Sequence, residues 1–431
     1  MGVKLSKFNY SVEFEGKYLV YNSLQDVCYI LSVPLSQMNE KVLLRHHLAV
    51  DENVDEDSMA YEKMVNMLCD KTKLNLTVLP TFACNFRCVY CYEDHEAKNM
   101  SPDVEQALIR YLRKNAAGKD LFISWFGGEP LLCKQIVVRV NEEAKRIANY
   151  YHRNFNSSMT TNGYLLDLET FKELLKLNLR SYQITIDGNE EHHNCTRPCV
   201  GGKPSYRTIV QNLKKIRDNV KSRNFKILIR VNLLAETLAN LENEVMELQE
   251  EFGSDARFHF FFKEVGDYGG DQVHDLDCSI INDIDAIDKV LLRSSKKYNI
   301  FPTSNVLNAS PCCYAAESQS FVILPDGGVS KCTVHFDNPV NRIGFLTTDG
   351  EMSLNDRASQ WILLGRYSFD TKICQNCPLI ANCFGVGCPA QRVVRGICKE
   401  MNSQQACLTR KHAQYAIATL YHMRPEIFHS I

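Results

Sequence analysis

The sequence lacks several things, and each absence narrows its function. It has no excess of one charge: 49 Lys and Arg face 51 Asp and Glu, a formal net charge of −2. That balance argues against a nucleic-acid-binding tract or a polybasic membrane anchor. No apolar run approaches the roughly 20 residues of a membrane span. The opening residues, "MGVKLSKFNYSVEFEG", carry charges and no apolar core, so they do not read as an export signal. Without export, a disulfide scaffold is not expected. There is no internal repeat and no low-complexity linker. These absences point to a cytoplasmic chain with neither nucleic acid nor membrane as partner.

Apolar residues are ample, at 45%, and 431 residues are too many for one typical domain. One large unit plus at least one smaller one is expected. Cysteine is plentiful, at 18 residues. Clustered cysteines in a reducing compartment are more often metal ligands than bridges. Thr81 to Glu93, "TFACNFRCVYCYE", holds Cys84, Cys88 and Cys91. Soft thiolates suit zinc or an iron–sulfur cluster. A closed structural zinc site wants four ligands, which a more distant residue such as His95 could complete. A cubane cluster has four irons, so three thiols leave one iron open to a substrate or cofactor.

The chain reads as three parts. Residues 1–72 contain alternating segments around Glu15–Gly16, expected as a hairpin or short meander, and two helical patterns. Residues 73–305 alternate six short strand candidates with amphipathic helices. Six β–α repeats predict a parallel sheet with helices outside it. Strands ending in Gly, Asp and Glu place a site at the sheet's carboxyl edge. Residues 306–431 lose that rhythm and become rich in cysteine, with short strands around "SFVILPDGGVSKC" and a final helix.

Cys84-x3-Cys88-x2-Cys91, with Tyr90 inside and Tyr92-Glu93 after it, resembles the signature of the radical S-adenosylmethionine (SAM) enzymes. The resemblance implies an α/β fold built on a partial (β/α)6 barrel, with the small N-terminal α+β module in front. It implies a [4Fe-4S] cluster on Cys84, Cys88 and Cys91 that reductively cleaves SAM to a 5′-deoxyadenosyl radical. Gly127-Gly128-Glu129-Pro130 is similar to the family segment that lies against the methionyl amino group. Two glycines let a backbone come close, and Glu129 could accept from an ammonium. Thr160, Thr161 and Asn162, and less closely Ser158, match positions toward the cofactor. Asp187-Gly188 resembles a strand end of peptide-modifying members, and equally an ordinary turn. Arg197 is expected to order its loop or meet a carboxylate. Arg230 and Asn232 share a strand face, and Arg230 could reach the cofactor carboxylate.

The C-terminal cysteines resemble the SPASM auxiliary-cluster domain. Gly327-x4-Cys332 and Cys374-x2-Cys377-x5-Cys383 match its spacing, while Cys388 departs by one residue. The resemblance implies two further [4Fe-4S] clusters, three in all. One would use Cys312 or Cys313, Cys332 and Cys388; the other Cys374, Cys377, Cys383 and Cys407, with Cys398 as the weaker candidate. Cys278 could complete the first, or an iron stays open. Zinc is the rival ligand by spacing alone. Cys28, Cys69, Cys133, Cys195 and Cys199 read mostly as buried small residues.

The family implies a maturase acting on a ribosomally made precursor peptide with a leader, fed by flavodoxin or ferredoxin in an anaerobic cytoplasm. A Cys thioether cross-link is the expected product. Carbon–carbon cross-linking and sulfatase-maturase-like side-chain oxidation are the alternatives. The first module would recognise the leader by pairing it with its third strand, or would only cap the barrel.

Overall fold

The computed structural model describes residues 2–266, 284–295, 313–336, 338–363, 376–383 and 408–431, with single positions 276, 281, 389, 390 and 393. Its first module contains β1 (Val3–Leu5), β2 (Asn9–Phe14), β3 (Lys17–Asn22), β4 (Val27–Leu31) and β5 (Ala49–Asp51). β2, β3 and β4 form the expected antiparallel meander. Its first turn works because Glu15 and Gly16 both adopt positive φ, 51° and 73°, matching the twist of a tight hairpin. The helices Glu40–Arg45 and Glu56–Leu68 follow, each capped by an Asn39 or Asp55 side chain.

Six strands then lie parallel in chain order: β6 (Lys73–Val78), β7 (Asp120–Trp125), β8 (Phe155–Thr161), β9 (Leu179–Thr185), β10 (Lys226–Leu233) and β11 (Phe258–Glu264). Helices Pro102–Asn115, Lys134–Tyr150, Leu168–Lys176, Tyr206–Asn219 and Leu241–Phe252 run between them. The Ser101 hydroxyl accepts from the Val104 amide, and Pro102 fills the first turn, where no amide donor is needed. Two short helices, Glu190–Thr196 and Ala235–Ala239, add to this pattern. This is the expected α/β partial barrel, and all six carboxyl ends face one site. A buried polar relay ties helix to sheet inside it. Trp125 Nε1 donates to Asn141 Oδ1 at 3.0 Å, Asn141 Nδ2 to Ser157 Oγ at 3.2 Å, and Ser157 Oγ to the Ile123 carbonyl at 3.0 Å.

The sheet does not stop at β6. β12 (Ser320–Ile323) pairs parallel to the free side of β6. β13 (Gly328–Ser330), β14 (Arg342–Leu346) and β15 (Met352–Leu354) continue it antiparallel, so ten strands form one sheet. Lys331, 1% exposed, donates to the Glu317 and Ser320 carbonyls and so closes this hairpin on itself. The last helix, Leu408–Met423, brings Ala413, Ile417 and Leu420 against Leu19, Tyr21 and Cys28 of the meander. β16 (Phe428–Ser430) then pairs parallel with β4. The outer edge of β4 is therefore covered by residues 428–430 of the same chain. Among the described residues no helix is long and apolar enough to cross a membrane.

Replacing Asn141 by Ala leaves the buried Trp125 Nε1 without its acceptor and removes one bond from Ser157 Oγ, which keeps the Ile123 carbonyl. The orphaned donor costs about 1–3 kcal/mol. N141A is expected to lower the denaturation midpoint by that order, measured by urea unfolding followed by circular dichroism.

Candidate functional site

The chain leaves β6 into a loop that carries the thiols. Thr81 fixes its start: the hydroxyl donates to Asn99 Oδ1 at 2.6 Å and accepts from the Ala83 amide at 2.9 Å. Residues 85–89 then run antiparallel to 196–200. Arg87 N donates to Pro198 O at 2.9 Å, Val89 N to Thr196 O at 3.0 Å, and Val200 N to Asn85 O at 2.8 Å. The thiol loop is thus zipped to the segment following the helix after β9. Cys88 is buried, and Cys84 and Cys91 are half-buried.

Tyr90, inside the triplet, donates to Asp187 Oδ2. Asp187 also accepts from Thr196 Oγ1 at 3.1 Å and from the Asn232 amide at 3.1 Å. Arg197 donates to the Tyr90 hydroxyl at 2.9 Å and lies over the Phe86 ring, 5.7 Å from its centroid. His193 Nδ1 accepts from the Asp187 amide at 3.1 Å, which leaves Nε2 protonated and facing Ser205 Oγ at 3.0 Å. Burial, then the nearby Arg197 and His192 charges, hold the His193 pKa well below its ordinary value.

The two glycines explain how the second strand end meets this loop. A Cβ on Gly128 would sit 2.2 Å from the Ala83 carbonyl oxygen and 2.4 Å from that of Phe82. One on Gly127, at φ 103°, would sit 2.6 Å from the Thr81 carbonyl oxygen. Only glycine allows this approach. Glu129 is fully buried and turned inward. Its carboxylate accepts from the Leu131 amide at 3.0 Å, Thr161 Oγ1 at 2.7 Å and the Asn162 amide at 2.8 Å. It joins two strand ends and is not among the residues lining the cavity. Pro130, also buried, starts the one-turn helix Pro130–Cys133.

A cavity with an empty volume of about 940 Å³, partly open to solvent, gathers the site. Cys84, Cys88 and Cys91 line it together with Gly127, Gly128, Thr160, Thr161, Asn162, Arg197, Arg230 and Asn232. Arg230 Nε donates to Asn232 Oδ1 at 2.8 Å, so the shared strand face is real. Ser158 instead pairs with Ser124 at 2.9 Å, and Asp187 stays behind the wall in its own network. Sequence reasoning missed Gln183, Thr185, Glu93 and Glu264, which also line the cavity. The signal for the first two was present: in "QITIDG" they alternate with buried Ile184 and Ile186.

Burial governs the electrostatics. It pushes the Cys84 and Cys91 thiols up to about 12 and raises Cys88 as well. Glu93 is pushed up to about 8 by burial and by Asp94. Glu93 Oε2, both His95 ring nitrogens and Arg197 Nε are buried without a hydrogen-bond partner. Thiols so buried ionise only against a strong local positive charge, which is what a metal cluster supplies. Unpartnered donors and acceptors around them suit a polar occupant. The residues present therefore fit an iron–sulfur cluster with a polar cofactor beside it. Among the described residues no three His, Cys, Asp or Glu side chains converge to hold a single ion.

In the second cysteine field, Cys332 is buried and Cys313 half-buried, and both lie within electrostatic reach of Tyr314. Cys377 packs partly against the clusters around Phe8 and Leu19, and Cys383 ends a short helix. Cys278, Cys312, Cys374, Cys388, Cys398 and Cys407 lie outside the described residues. Of the cysteines read as small core residues, Cys28 and Cys199 are buried and Cys133 half-buried, but Cys69 and Cys195 are exposed. Both exposed thiols sit at the ends of short helical segments, where sequence pattern does not report burial.

Residues 78–248 match the model of the Radical SAM superfamily. These residues carry a Radical SAM superfamily domain. The chain is similar to the Fe-coproporphyrin III synthase of Methanosarcina barkeri, 25% identical over 54% of this chain and 54% of that one. The radical SAM cyclopropyl synthase TigE of Paramaledivibacter caminithermalis is 26% identical over 39% and 37%. The serine-type anaerobic sulfatase-maturating enzyme of Bacteroides thetaiotaomicron is 28% identical over 31% and 34%. The matches cover about a third to a half of the length of these relatives. Among solved structures, anSMEcpe with bound AdoMet and Cp18Cys peptide aligns over 82% of this chain and 98% of that one, at TM-score 0.60 and 19% identity. Streptococcus suis SuiB bound to precursor peptide SuiA aligns over 93% and 98%, at 0.51 and 13%. At these identities the structures share the fold.

Gly128→Ala is expected to cost about 1–3 kcal/mol, since backbone on both sides must shift. Gly16→Asn, with nothing within 4 Å of its Cβ, serves as the tolerated control; thermal unfolding compares the two. His193 gives a pH prediction. Its folded pKa is depressed, so its contribution is complete above the unfolded value of about 6.5 and is lost as pH falls below that. H193Q is expected to flatten the stability profile between about pH 7 and 5, measured by urea midpoints across that range.

Proposed function

We propose that this chain is a radical SAM enzyme that takes a hydrogen from a side chain of a peptide or protein substrate. The observation that carries the reading is the one cavity in which three thiols, one buried and two half-buried, a glycine pair and the polar ends of the barrel strands meet. Cys84, Cys88 and Cys91 would hold a [4Fe-4S] cluster, and SAM would lie along Gly127 and Gly128. When bound, this pair supplies a hydrogen-abstracting organic radical. The chain's own part is placement. Gly127 and Gly128 let the thiol loop pack against the end of β7, so that both line the same cavity. Arg230, steadied by Asn232, offers a cation to a carboxylate. Thr160, Asn162, Gln183 and Thr185 offer hydrogen bonds from the strand ends. Phe126, Val265 and Tyr92 line the remainder and limit water.

A peptide substrate is supported by the two similar structures that hold peptides and by the sulfatase-maturating relative. The chemistry we favour is side-chain oxidation or formation of a carbon–carbon bond. The cyclopropyl synthase and the sulfatase-maturating enzyme stand on that side. The thioether expectation rested on an open auxiliary iron, and most cysteines that would define it lie outside the described residues. Two auxiliary clusters, on Cys313 or Cys312, Cys332 and Cys388 and on Cys374, Cys377, Cys383 and Cys407, remain part of the proposal. So do a low-potential flavodoxin or ferredoxin donor, a cytoplasmic setting, and the division at residues 72 and 305.

Anaerobically reconstituted protein with SAM and dithionite is expected to release 5′-deoxyadenosine, and Cys84→Ala to abolish it. A short precursor peptide or a sulfatase-derived peptide should leave the reaction two hydrogens lighter by mass spectrometry. A product in which only a cysteine sulfur has gained a carbon bond would restore the thioether reading. Absence of 5′-deoxyadenosine from iron-replete protein would refute the radical assignment.

A further inference from the structure

Two guanidiniums line the thiol site, Arg230 half-buried and Arg197 buried in its wall. Arg197 is 7% exposed, lines the cavity beside Cys84 and Cys88, and projects from the strand segment zipped to the thiol loop. Its Nη1 is engaged by Tyr90 and its plane lies over Phe86, the residue midway along the first thiol gap. Its Nε is buried and has no partner. A desolvated guanidinium with one N–H left over is costly unless an acceptor belongs there. Cys88 lies within its electrostatic reach, as does the Asp187 carboxylate.

We propose that Arg197 is a positioning residue whose Nε–H and charge act on the sulfurs of the cluster held by Cys84, Cys88 and Cys91, making its one-electron reduction easier. This rests on the cluster reading given above. Reduction adds one electron from a low-potential one-electron donor, with no bond made or broken and no proton moved. The added negative charge is met by a fixed cation in a dry site. Hydrogen bonds and net charge around the sulfurs are what set such potentials. Asp187 lies behind the Tyr90 hydroxyl that Arg197 holds, so removing Arg197 leaves that buried carboxylate without its cation next to the site.

The test is a potentiometric titration of the full-length reconstituted holoenzyme, following the paramagnetic signal of the reduced cluster that changes when SAM is added. Arg197→Gln is expected to lower the midpoint by at least a tenfold change in the reduction equilibrium, about 59 mV for one electron. Arg197→Lys, which keeps the charge, is expected to lose less than half of that. An unchanged midpoint in R197Q overturns the assignment. If R197Q fails to hold iron, R197K decides: iron kept at a near-native midpoint supports a role for the charge, and iron lost there too means a purely structural residue. A wild-type protein with no SAM-sensitive signal defeats the cluster reading instead, a result distinct from either.

Discussion

Asp187 ends the fourth barrel strand with its side chain 1% exposed, and three separate segments donate to it. Tyr90 comes from the thiol loop, Thr196 from the helix after β9, and the Asn232 amide from the end of β10. A carboxylate buried this deeply is tolerated only when its lone pairs are filled and a cation is near. Here Arg197 supplies that cation through the Tyr90 hydroxyl. The consequence is geometric. The thiol loop cannot move without breaking a buried charge network, and neither can the segment that carries Arg197. Sheet strands alone would place the loop only at its root, where β6 ends. Asp187 and the antiparallel zipper place its middle, where the second thiol sits.

The same logic explains what could be read from the chain and what could not. The triplet and the glycine pair were legible because each is a local pattern with a local cause: soft ligands at short gaps, and backbone contact that excludes a Cβ. The six barrel strands were legible as short apolar segments alternating with longer amphipathic helical ones. Glu129 reads in the sequence as an acceptor for a cofactor ammonium, through its resemblance to a family segment. In the structure it satisfies three donors from its own neighbours, a relation between β7 and β8 that no one-dimensional spacing carries. Gln183 and Thr185 were overlooked for the opposite reason. Their alternation was visible, but attention fell on Asp187, whose side chain lies behind the cavity wall. The C-terminal pairings were hidden for another reason still. β12 finds β6 across more than 240 residues of sequence, and β16 finds β4 across about 400. Strands of three or four residues hold too little pattern to announce a partner.

Those long-range pairings bear on how the two cysteine fields relate. Because β12 lies parallel to β6, the turn after β12 and the loop after β6 emerge at the same end of the sheet. β13 runs back antiparallel to β12, so Cys332, two residues past it, leaves the hairpin at the opposite end from the triplet loop, and it is the segment after Cys332 that reaches the loop. Their neighbours meet: Tyr92 donates to the Thr333 carbonyl at 3.2 Å, and the Thr333 amide donates to the Tyr314 hydroxyl at 2.9 Å. Tyr314 in turn lies within electrostatic reach of both Cys313 and Cys332. The residue immediately after the third thiol of one field is therefore bonded to the residue immediately after a thiol of the other. Burial raises the pKa of both tyrosines, so they remain neutral donors at working pH. A change in the position of one thiol loop must pass to the other through this short, buried, uncharged bridge. Tyr314 and Thr333 are on that account tied to the thiol loop by side-chain hydrogen bonds, and the strand between them to β6 by the shared sheet.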